Sequence, residues 1–242
     1  MAGLLLLPSL ATADMLEAIE RVKPSIVVVG TYKKTDSPQF VLRGTGFVVG
    51  DGKLVATNAH VVPEGGDPDG PALVIQARVG NEPQVRRAYL ETRDREHDLA
   101  LLRIEGAALP AVKLRNSDLV REGQAIGFTG FPIGGALGFS PVTHRGMVSS
   151  VTPIVLPGGN AQQLNEKVIR RIKSGSFNIF QLDATAYPGN SGSPVFEVET
   201  GDVIGVINMV FIKGTKEAAL SAPSGISYAI PANYLKNLLE TR

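Results

Sequence analysis

The chain is built from short apolar runs, rich in Val, Ile and Phe, that alternate with turn-forming segments. The first set reads SIVVVGTYK, QFVLRGTGFVVG, KLVATNAHVV, ALVIQARV, RRAYLET and DLALLRIE. A second set reads AIGFTGF, HRGMVSSVTPIVL, FNIFQLDA, PVFEVETGDVIGVINMVF and GISYAI, where ETGD makes a hairpin turn within the fourth run. Runs of this length, bounded by Gly, Pro, Asn and Asp, indicate β-strands. The pattern predicts an all-β protein.

Two sets of six strands favour two similar antiparallel six-stranded β-barrels, the first over residues 14–118 and the second over 119–242. The segment DMLEAIERVKP has apolar residues at helical spacing and ends at a proline, so a short helix precedes the first barrel. The segment PANYLKNLLE predicts a second helix at the end of the chain, started by Pro231. The stretch LPGGNAQQLNEKVIRRIKSGS resembles a polar surface insertion.

Composition excludes several functions. The 242 residues include no cysteine, which removes thiol catalysis, thiolate metal sites and disulfides. Net charge is only +1, with Lys and Arg scattered along the chain. This balance does not indicate a nucleic-acid footprint, so we expect no nucleic-acid partner.

The N-terminal stretch MAGLLLLPSLATA has a short apolar run followed by an A-x-A arrangement. That pattern resembles a secretory signal with its cleavage site, and residues 1–13 are then removed on export to the periplasm or the medium. The alternative is an apolar arm that docks on the protein or on a neighbouring subunit.

His60 lies inside the apolar run TNAHVV. A single histidine in such a run is either packed in the core or a catalytic base, and the run alone does not decide between them.

Ser191 lies in YPGNSGSPVF, flanked by Gly189 and Gly192. Two glycines so close to a serine allow a tight turn whose backbone N–H groups point into a concavity, as an oxyanion requires. The alternative is an ordinary turn between strands.

Asp98 opens the run DLALLRIE and directly follows His97. Neighbouring side chains of an extended strand point to opposite faces, so these two residues cannot face each other there. If Asp98 orients a histidine, it orients a different one.

The motifs TNAHVV, DLALLRI and GNSGSP resemble, in this order, the three catalytic segments of chymotrypsin-fold serine proteases. The segments RGTGFVV, GFPIG, LDATAYPGNSGSP and GISYAIPANYLKNLL extend the resemblance to the HtrA type, over roughly residues 15–242. The resemblance implies a chymotrypsin-like pair of barrels and a serine endopeptidase that needs no metal or other cofactor. Its substrates are expected to be unfolded or damaged polypeptides.

The resemblance also implies a role for each matching residue. Ser191 is the nucleophile, His60 the general base and Asp98 the carboxylate that orients His60. The turn of Gly189, Asn190 and Ser191 forms the oxyanion hole. The substrate-binding residues implied by the family pattern are Thr185, Tyr187, Asn208, Met209 and Val210. Thr185 falls at the floor of the specificity pocket, where an acidic residue is absent, so a small or medium apolar side chain is expected before the cleaved bond.

This chain departs from the HtrA pattern in three ways, one of which is that TYKKTDSPQF is short where some members have a long regulatory loop. Ser193 stands where the HtrA group usually has Gly, and bacterial glutamyl endopeptidases share this serine. That branch binds the glutamate side chain with a His on the strand after the nucleophile, where this chain has Ile207 and Asn208. A glutamyl-endopeptidase-like protease is therefore an alternative that the residues disfavour. The sequence also ends after the C-terminal helix, which leaves no room for the PDZ domain common in the group, so we expect either a protease domain alone or a part of a longer protein. HtrA relatives are often trimers, which makes a homo-oligomer the expected assembly by family analogy.

Two other classes compete with the protease. A peptide-binding or chaperone-like protein on the same fold does not need His60, Asp98 and Ser191 together. A metal site formed by His60, His97 and His144 has no compact ligand spacing to support it.

Overall fold

A computed structural model describes residues 15–65, 69–80, 82–133, 139–153, 177–209 and 225–242. The proposed signal of residues 1–13, the whole of the predicted insertion and Val210 lie outside the described residues. The first barrel contains the strands β1 (Ile26–Tyr32), β2 (Phe40–Val49), β3 (Leu54–Asn58), β4 (Ala72–Val79), β5 (Glu82–Asp94) and β6 (Leu99–Ile104). The second contains β7 (Ala125–Gly130), β8 (Val142–Pro153), β9 (Asn178–Asp183), β10 (Pro194–Glu197), β11 (Val203–Asn208) and β12 (Ile226–Pro231).

The two barrels share one topology. Neighbouring strands follow the order β1-β2-β3-β6-β5-β4 in the first barrel and β7-β8-β9-β12-β11-β10 in the second, and both barrels are closed. All neighbouring pairs are antiparallel. The predicted all-β fold of two six-stranded barrels is confirmed.

The first strand explains why the apolar runs do not alternate with polar residues. In β1, Val27 and Val29 point into the first barrel, whereas Ile26 and Val28 point into a second core between the barrels. A strand alternates its side chains between two faces, and here both faces are buried. The continuous run SIVVVG is therefore a strand between two cores.

The core between the barrels joins residues from both halves of the chain. Phe47 and Leu101 of the first barrel pack there with Phe196 and Val206 of the second, and all four are fully buried. Each barrel also has its own interior cluster. Burial on this scale opposes separation of the barrels, which holds the cleft between them in one shape.

The linker between the barrels is bonded to both of them. The N–H of Val112 donates to Val48 O over 3.0 Å, in the first barrel. The N–H of Arg115 donates to Val203 O over 2.9 Å, in the second. The linker therefore fixes the relative position of the two halves.

Short helices close the fold at both ends, as predicted. Helix α1 (Met15–Val22) buries Ala18 and Val22 in the core between the barrels, and Arg21 Nη1 donates to Thr200 O over 3.1 Å. Helix α2 (Ala232–Glu240) buries Leu235 in the same core. Neither helix, nor any other in the described part of the chain, is long and apolar enough to cross a membrane.

Candidate active site

Asp98 lies in the turn between β5 and β6, with a φ of +53° that is unusual for a residue with a side chain. Its Oδ2 lies 2.6 Å from His60 Nδ1, and its Oδ1 accepts a hydrogen bond of 2.9 Å from the N–H of His60. The carboxylate thus fixes both the main chain and the ring of His60. With Nδ1 held by Asp98, Nε2 is the nitrogen left to exchange a proton with another group.

The sheet brings these two residues together. β3 ends at Asn58, which pairs with Leu99 at the start of β6, and a single 3₁₀ turn then carries His60. Two further bonds close the junction, because Asp98 O accepts from Ala59 N over 3.0 Å and from Asn58 Nδ2 over 3.1 Å. The histidine that faces Asp98 is therefore His60, across the sheet.

Asn208 supplies another hydrogen bond to the same carboxylate. It is the last residue of β11, fully buried, and its Nδ2 donates to Asp98 Oδ2 over 2.7 Å. The bond crosses from the second barrel to the first. The side chain expected at the wall of a substrate pocket is instead directed at Asp98, a role that the sequence analysis missed.

Ser191 is held in a turn that only glycine permits on either side. The φ angles of Gly189 and Gly192 are +103° and +86°. A Cβ on Gly192 would lie 2.1 Å from Thr45 O, so no side chain fits there. Ser191 itself is 7% exposed, where its turn meets β2 of the first barrel.

The turn leaves two main-chain donors free. The N–H groups of Gly189 and Ser191 make no hydrogen bond to any residue in the described ranges. Pro188 O accepts a hydrogen bond of 2.7 Å from Ile133 N, and a planar trans peptide then directs the Gly189 N–H the opposite way. Two free donors beside a serine are the arrangement that stabilises an oxyanion.

Asn190 differs from its two neighbours. Its N–H donates to Tyr187 O over 2.9 Å, so this amide is part of the turn and is not a free donor. Its side chain is fully buried, and neither Oδ1 nor Nδ2 has a hydrogen-bond partner among the described residues. Asn190 therefore stabilises the turn and does not supply a free N–H group.

Thr45 links the serine turn to the first barrel. Its N–H donates to Ser191 O over 2.8 Å, and its fully buried hydroxyl donates to Gly189 O over 2.7 Å. The same hydroxyl accepts a bond of 3.1 Å from Phe131 N. The segment RGTGFVV, which contains Thr45, is part of the resemblance to the HtrA type, but the sequence did not predict that Thr45 contacts the serine turn.

The segments that carry His60 and Ser191 meet at Gly44. A Cβ added to Gly44 would lie 2.7 Å from Val61 Cγ2, next to His60, and 2.9 Å from Ser191 O. No hydrogen bond joins the His60 ring and the Ser191 hydroxyl in the described part of the molecule. Such contacts are often long in an empty site and shorten when substrate binds.

The segment before the serine turn is anchored to β12. Ser227 Oγ donates to Ala184 O over 2.7 Å and accepts from Ala186 N over 2.9 Å. Thr185, between them, and Tyr187 are half-buried. Met209 packs against the interior of the second barrel. These residues lie near the serine turn, whereas Val210 is outside the described residues.

The three histidines lie in three different environments. His60 faces Asp98, while His97 Nδ1 lies 2.6 Å from Asp94 Oδ2. His144 stacks on Phe128, with ring centroids 4.7 Å apart, and its buried Nε2 has no partner in the described ranges. Burial lowers the pKa of His144 from its ordinary value. The described residues hold no group of three side chains suited to a metal ion.

Two closed barrels, with Ser191, His60 and Asp98 at the junction between them, define a protein of the chymotrypsin-like fold class. A model of the trypsin-like peptidase domain family matches residues 44–206. The chain belongs to this family.

Several relatives are of the HtrA type, which confirms the resemblance inferred from the motifs. The mitochondrial serine protease HTRA2 of Drosophila pseudoobscura pseudoobscura is 32% identical over 197 residues, 81% of this chain and 38% of that protein. A probable periplasmic serine endoprotease DegP-like of Marinomonas sp. (strain MWYL1) is 30% identical over 81% of this chain and 34% of that protein. The solved structure of the HtrA-type protease AlgW with a tripeptide has a TM-score of 0.66 and 25% identity, over 94% of this chain and 63% of that one. The chain thus spans little more than a third of the length of these curated relatives.

Proposed function

We propose that this chain is a serine endopeptidase that cleaves unfolded polypeptides through an acyl-enzyme. The observation that carries the proposal is the arrangement around Asp98, which holds His60 by both its N–H and its Nδ1. A base oriented in this way beside a serine turn with free N–H groups is the arrangement used for acyl transfer.

The reaction runs in two halves. His60 Nε2 takes the proton of the Ser191 hydroxyl as its oxygen attacks the peptide carbonyl. The N–H groups of Gly189 and Ser191 stabilise the negative oxygen that forms. The same imidazole then gives the proton to the leaving amine, and an ester remains on Ser191. Water then attacks the ester as His60 takes its proton, and His60 returns that proton to the Ser191 oxygen as the ester bond breaks and the acid leaves.

The buried neighbours support this cycle. Asp98 stabilises the imidazolium that forms in each half of the reaction, and the Asn208 amide keeps the carboxylate in place. Thr45 holds the carbonyls of Gly189 and Ser191 away from the attacking side. Preorganised donors of this kind need no rearrangement at the moment of reaction.

We propose substrates with a small or medium apolar residue before the cleaved bond. Thr185 offers no charge at the pocket floor, and Met209 adds an apolar wall. The six residues of β11 contain no histidine or cation, and Asn208 is committed to Asp98, which counts against a glutamate-binding pocket. The HtrA-type protease AlgW was solved with a tripeptide, in line with an extended substrate lying beside the strand edge.

The relatives suggest where and how the chain works. The DegP-like relative is a probable periplasmic protein and the HTRA2 relative a mitochondrial one, and the A-x-A pattern near residue 13 of this chain favours export. A trimer follows from family analogy alone. Neither proposal affects the chemistry at Ser191.

The proposal is tested by incubating unfolded casein with the purified protein and with Ser191→Ala, and by sequencing the fragment ends by mass spectrometry. We expect the parent protein to cut after small or medium apolar residues, also in the presence of a chelator. Ser191→Ala should lose about 10⁶-fold in kcat, which is no detectable cutting. An intact casein, bound equally by both proteins, would instead support the non-cleaving, chaperone-like alternative.

A further inference from the structure

Arg43 is the extra residue of a β-bulge at the edge of the cleft. In the pairing of β1 with β2, Val29 lies opposite Gly44 and Gly30 lies opposite Leu42, so Arg43 has no partner. Bulges bend a strand and redirect one side chain, and they are common beside active sites. The bulge takes Arg43 out of the regular alternation of β2.

The redirected side chain points at the segment that carries His60. Arg43 Nε donates to Val61 O over 2.8 Å, one residue beyond His60. The next residue, Gly44, is packed so closely that an added Cβ would lie 2.9 Å from Ser191 O. Arg43 is therefore anchored at the point where the His60 and Ser191 segments meet.

The guanidinium is exposed there, and its charge is not balanced by any carboxylate in the described part of the chain. Arg43 is an exposed residue, and no carboxylate of the described residues forms an ion pair with it. Glu64, on the same segment as Val61, pairs with Arg93 and Arg95. One N–H of the guanidinium is used by Val61, and four remain to bind an anion. A planar donor set of this kind matches a carboxylate.

The position of Arg43 on the first barrel determines which half of a substrate this side chain contacts. In the proposed function, on which this inference rests, the residues before the cleaved bond lie along the end of β11, in the second barrel. The residues after the bond then cross towards His60, which protonates the leaving amine. Gly44 and Arg43 lie on that side of Ser191, because Gly44 is packed between Val61 and Ser191 O and Arg43 is bonded to Val61 O.

We propose that Arg43 is a specificity-determining residue that favours Asp or Glu one or two positions after the cleaved bond. The carboxylate of the substrate binds the free edge of the guanidinium, which the bond to Val61 holds in place. This selection acts on the leaving half of the substrate and is independent of the apolar pocket for the residue before the bond.

The test uses internally quenched peptides that share one acyl half and carry Asp, Glu, Ala or Lys at the first or second position after the bond. For the parent protein we expect kcat/KM for the acidic peptides to exceed that for the alanine peptides about two- to fivefold, and the ratio to fall as ionic strength rises. In Arg43→Gln the ratio should approach one. Arg43→Glu should prefer lysine, and Arg43→Lys should keep part of the acidic preference.

Arg78→Glu is the matched control, because Arg78 is an exposed arginine of β4, a strand that contributes no residue to the site. It should keep the parental ratio. The inference is overturned if the parent protein shows no acidic preference, if Arg43→Gln keeps it, or if Ser191 reacts with a fluorophosphonate while no peptide is cut. If the parent protein neither cuts nor reacts, the proposed function fails first and the inference falls with it.

Discussion

The imidazole of His97 lies nearly flat on the phenol ring of Tyr234, with ring centroids 4.0 Å apart and an interplanar angle of 19°. Phe177 completes the group, with its ring 4.7 Å from His97. The stack joins the turn that carries Asp98 to α2 and to the start of β9. Asp98 is therefore positioned from the second barrel by Asn208 and through its neighbour His97 by the stack.

Replacing His97 with Ala is expected to lower the free energy of unfolding by about 2 kcal/mol, because the ring contacts and the bond to Asp94 are both lost. We also expect a lower kcat, since the Asp98 turn loses its support. His97→Phe restores the stacking alone and should recover part of both. Urea unfolding and peptide kinetics measure the two effects. A variant as stable and active as the parent protein would show that the stack does not support Asp98.

Thr45→Val keeps the shape of the side chain and removes its hydroxyl. Gly189 O and Phe131 N then lose a partner in a buried place, which should cost about 1–3 kcal/mol of stability. Because Gly189 is in the serine turn, kcat should fall as well. Thr45→Ser keeps the hydroxyl and serves as the control. Equal kcat values for the Val and Ser variants would contradict the link between Thr45 and the turn.

Asn208→Ala removes a donor to Asp98 and leaves the pocket for the substrate in place. A hydrogen bond to a charged group contributes about 1.5–3 kcal/mol, so kcat should fall about ten- to a hundredfold. KM should change little, because the side chain faces Asp98 and not the substrate. A rise in KM with unchanged kcat would instead indicate that Asn208 contacts the substrate.

His144→Phe should make the protein more resistant to acid. Burial lowers the pKa of His144 in the folded state, whereas in the unfolded chain it keeps its ordinary value of 6.5. As pH falls below 6.5, the unfolded chain takes up the proton first, so folding stability is lost until the pH reaches the lowered folded pKa. Phenylalanine can still stack on Phe128 and does not titrate. Urea unfolding at pH 7.5 and pH 5 should show a smaller loss for the variant, and an equal loss would contradict the assignment.

The strands were predictable because each has its own local signal. Runs such as SIVVVG are strongly β-forming, and turn residues bound them on both sides. Neighbouring side chains of an extended strand point to opposite faces, which also indicated that any histidine oriented by Asp98 is not His97. That prediction assumed an extended strand at Asp98, whereas in the structure Asp98 is in a turn with positive φ. Its partner is nevertheless His60, across the sheet.

The supporting contacts were not predictable, because they join distant parts of the chain. Thr45 meets Gly189 across 144 positions, and Asn208 meets Asp98 across 110. No local pattern distinguishes these polar residues from others in buried strands. The direction of the Arg43 side chain depends on a single bulge. The alternation of residues along β2 does not show where such a one-residue change of register occurs.

The central claim is that Ser191 is a nucleophile activated by His60 and Asp98. The most direct measurement is the rate of covalent labelling by a fluorophosphonate, followed by peptide mapping, for the parent protein, Ser191→Ala, His60→Ala and Asp98→Asn. We predict stoichiometric labelling located on Ser191, no labelling of Ser191→Ala, and a labelling rate reduced by orders of magnitude, about 10⁴-fold for Asp98→Asn. Labelling at another residue, or a parent protein that reacts no faster than Ser191→Ala, would contradict the account.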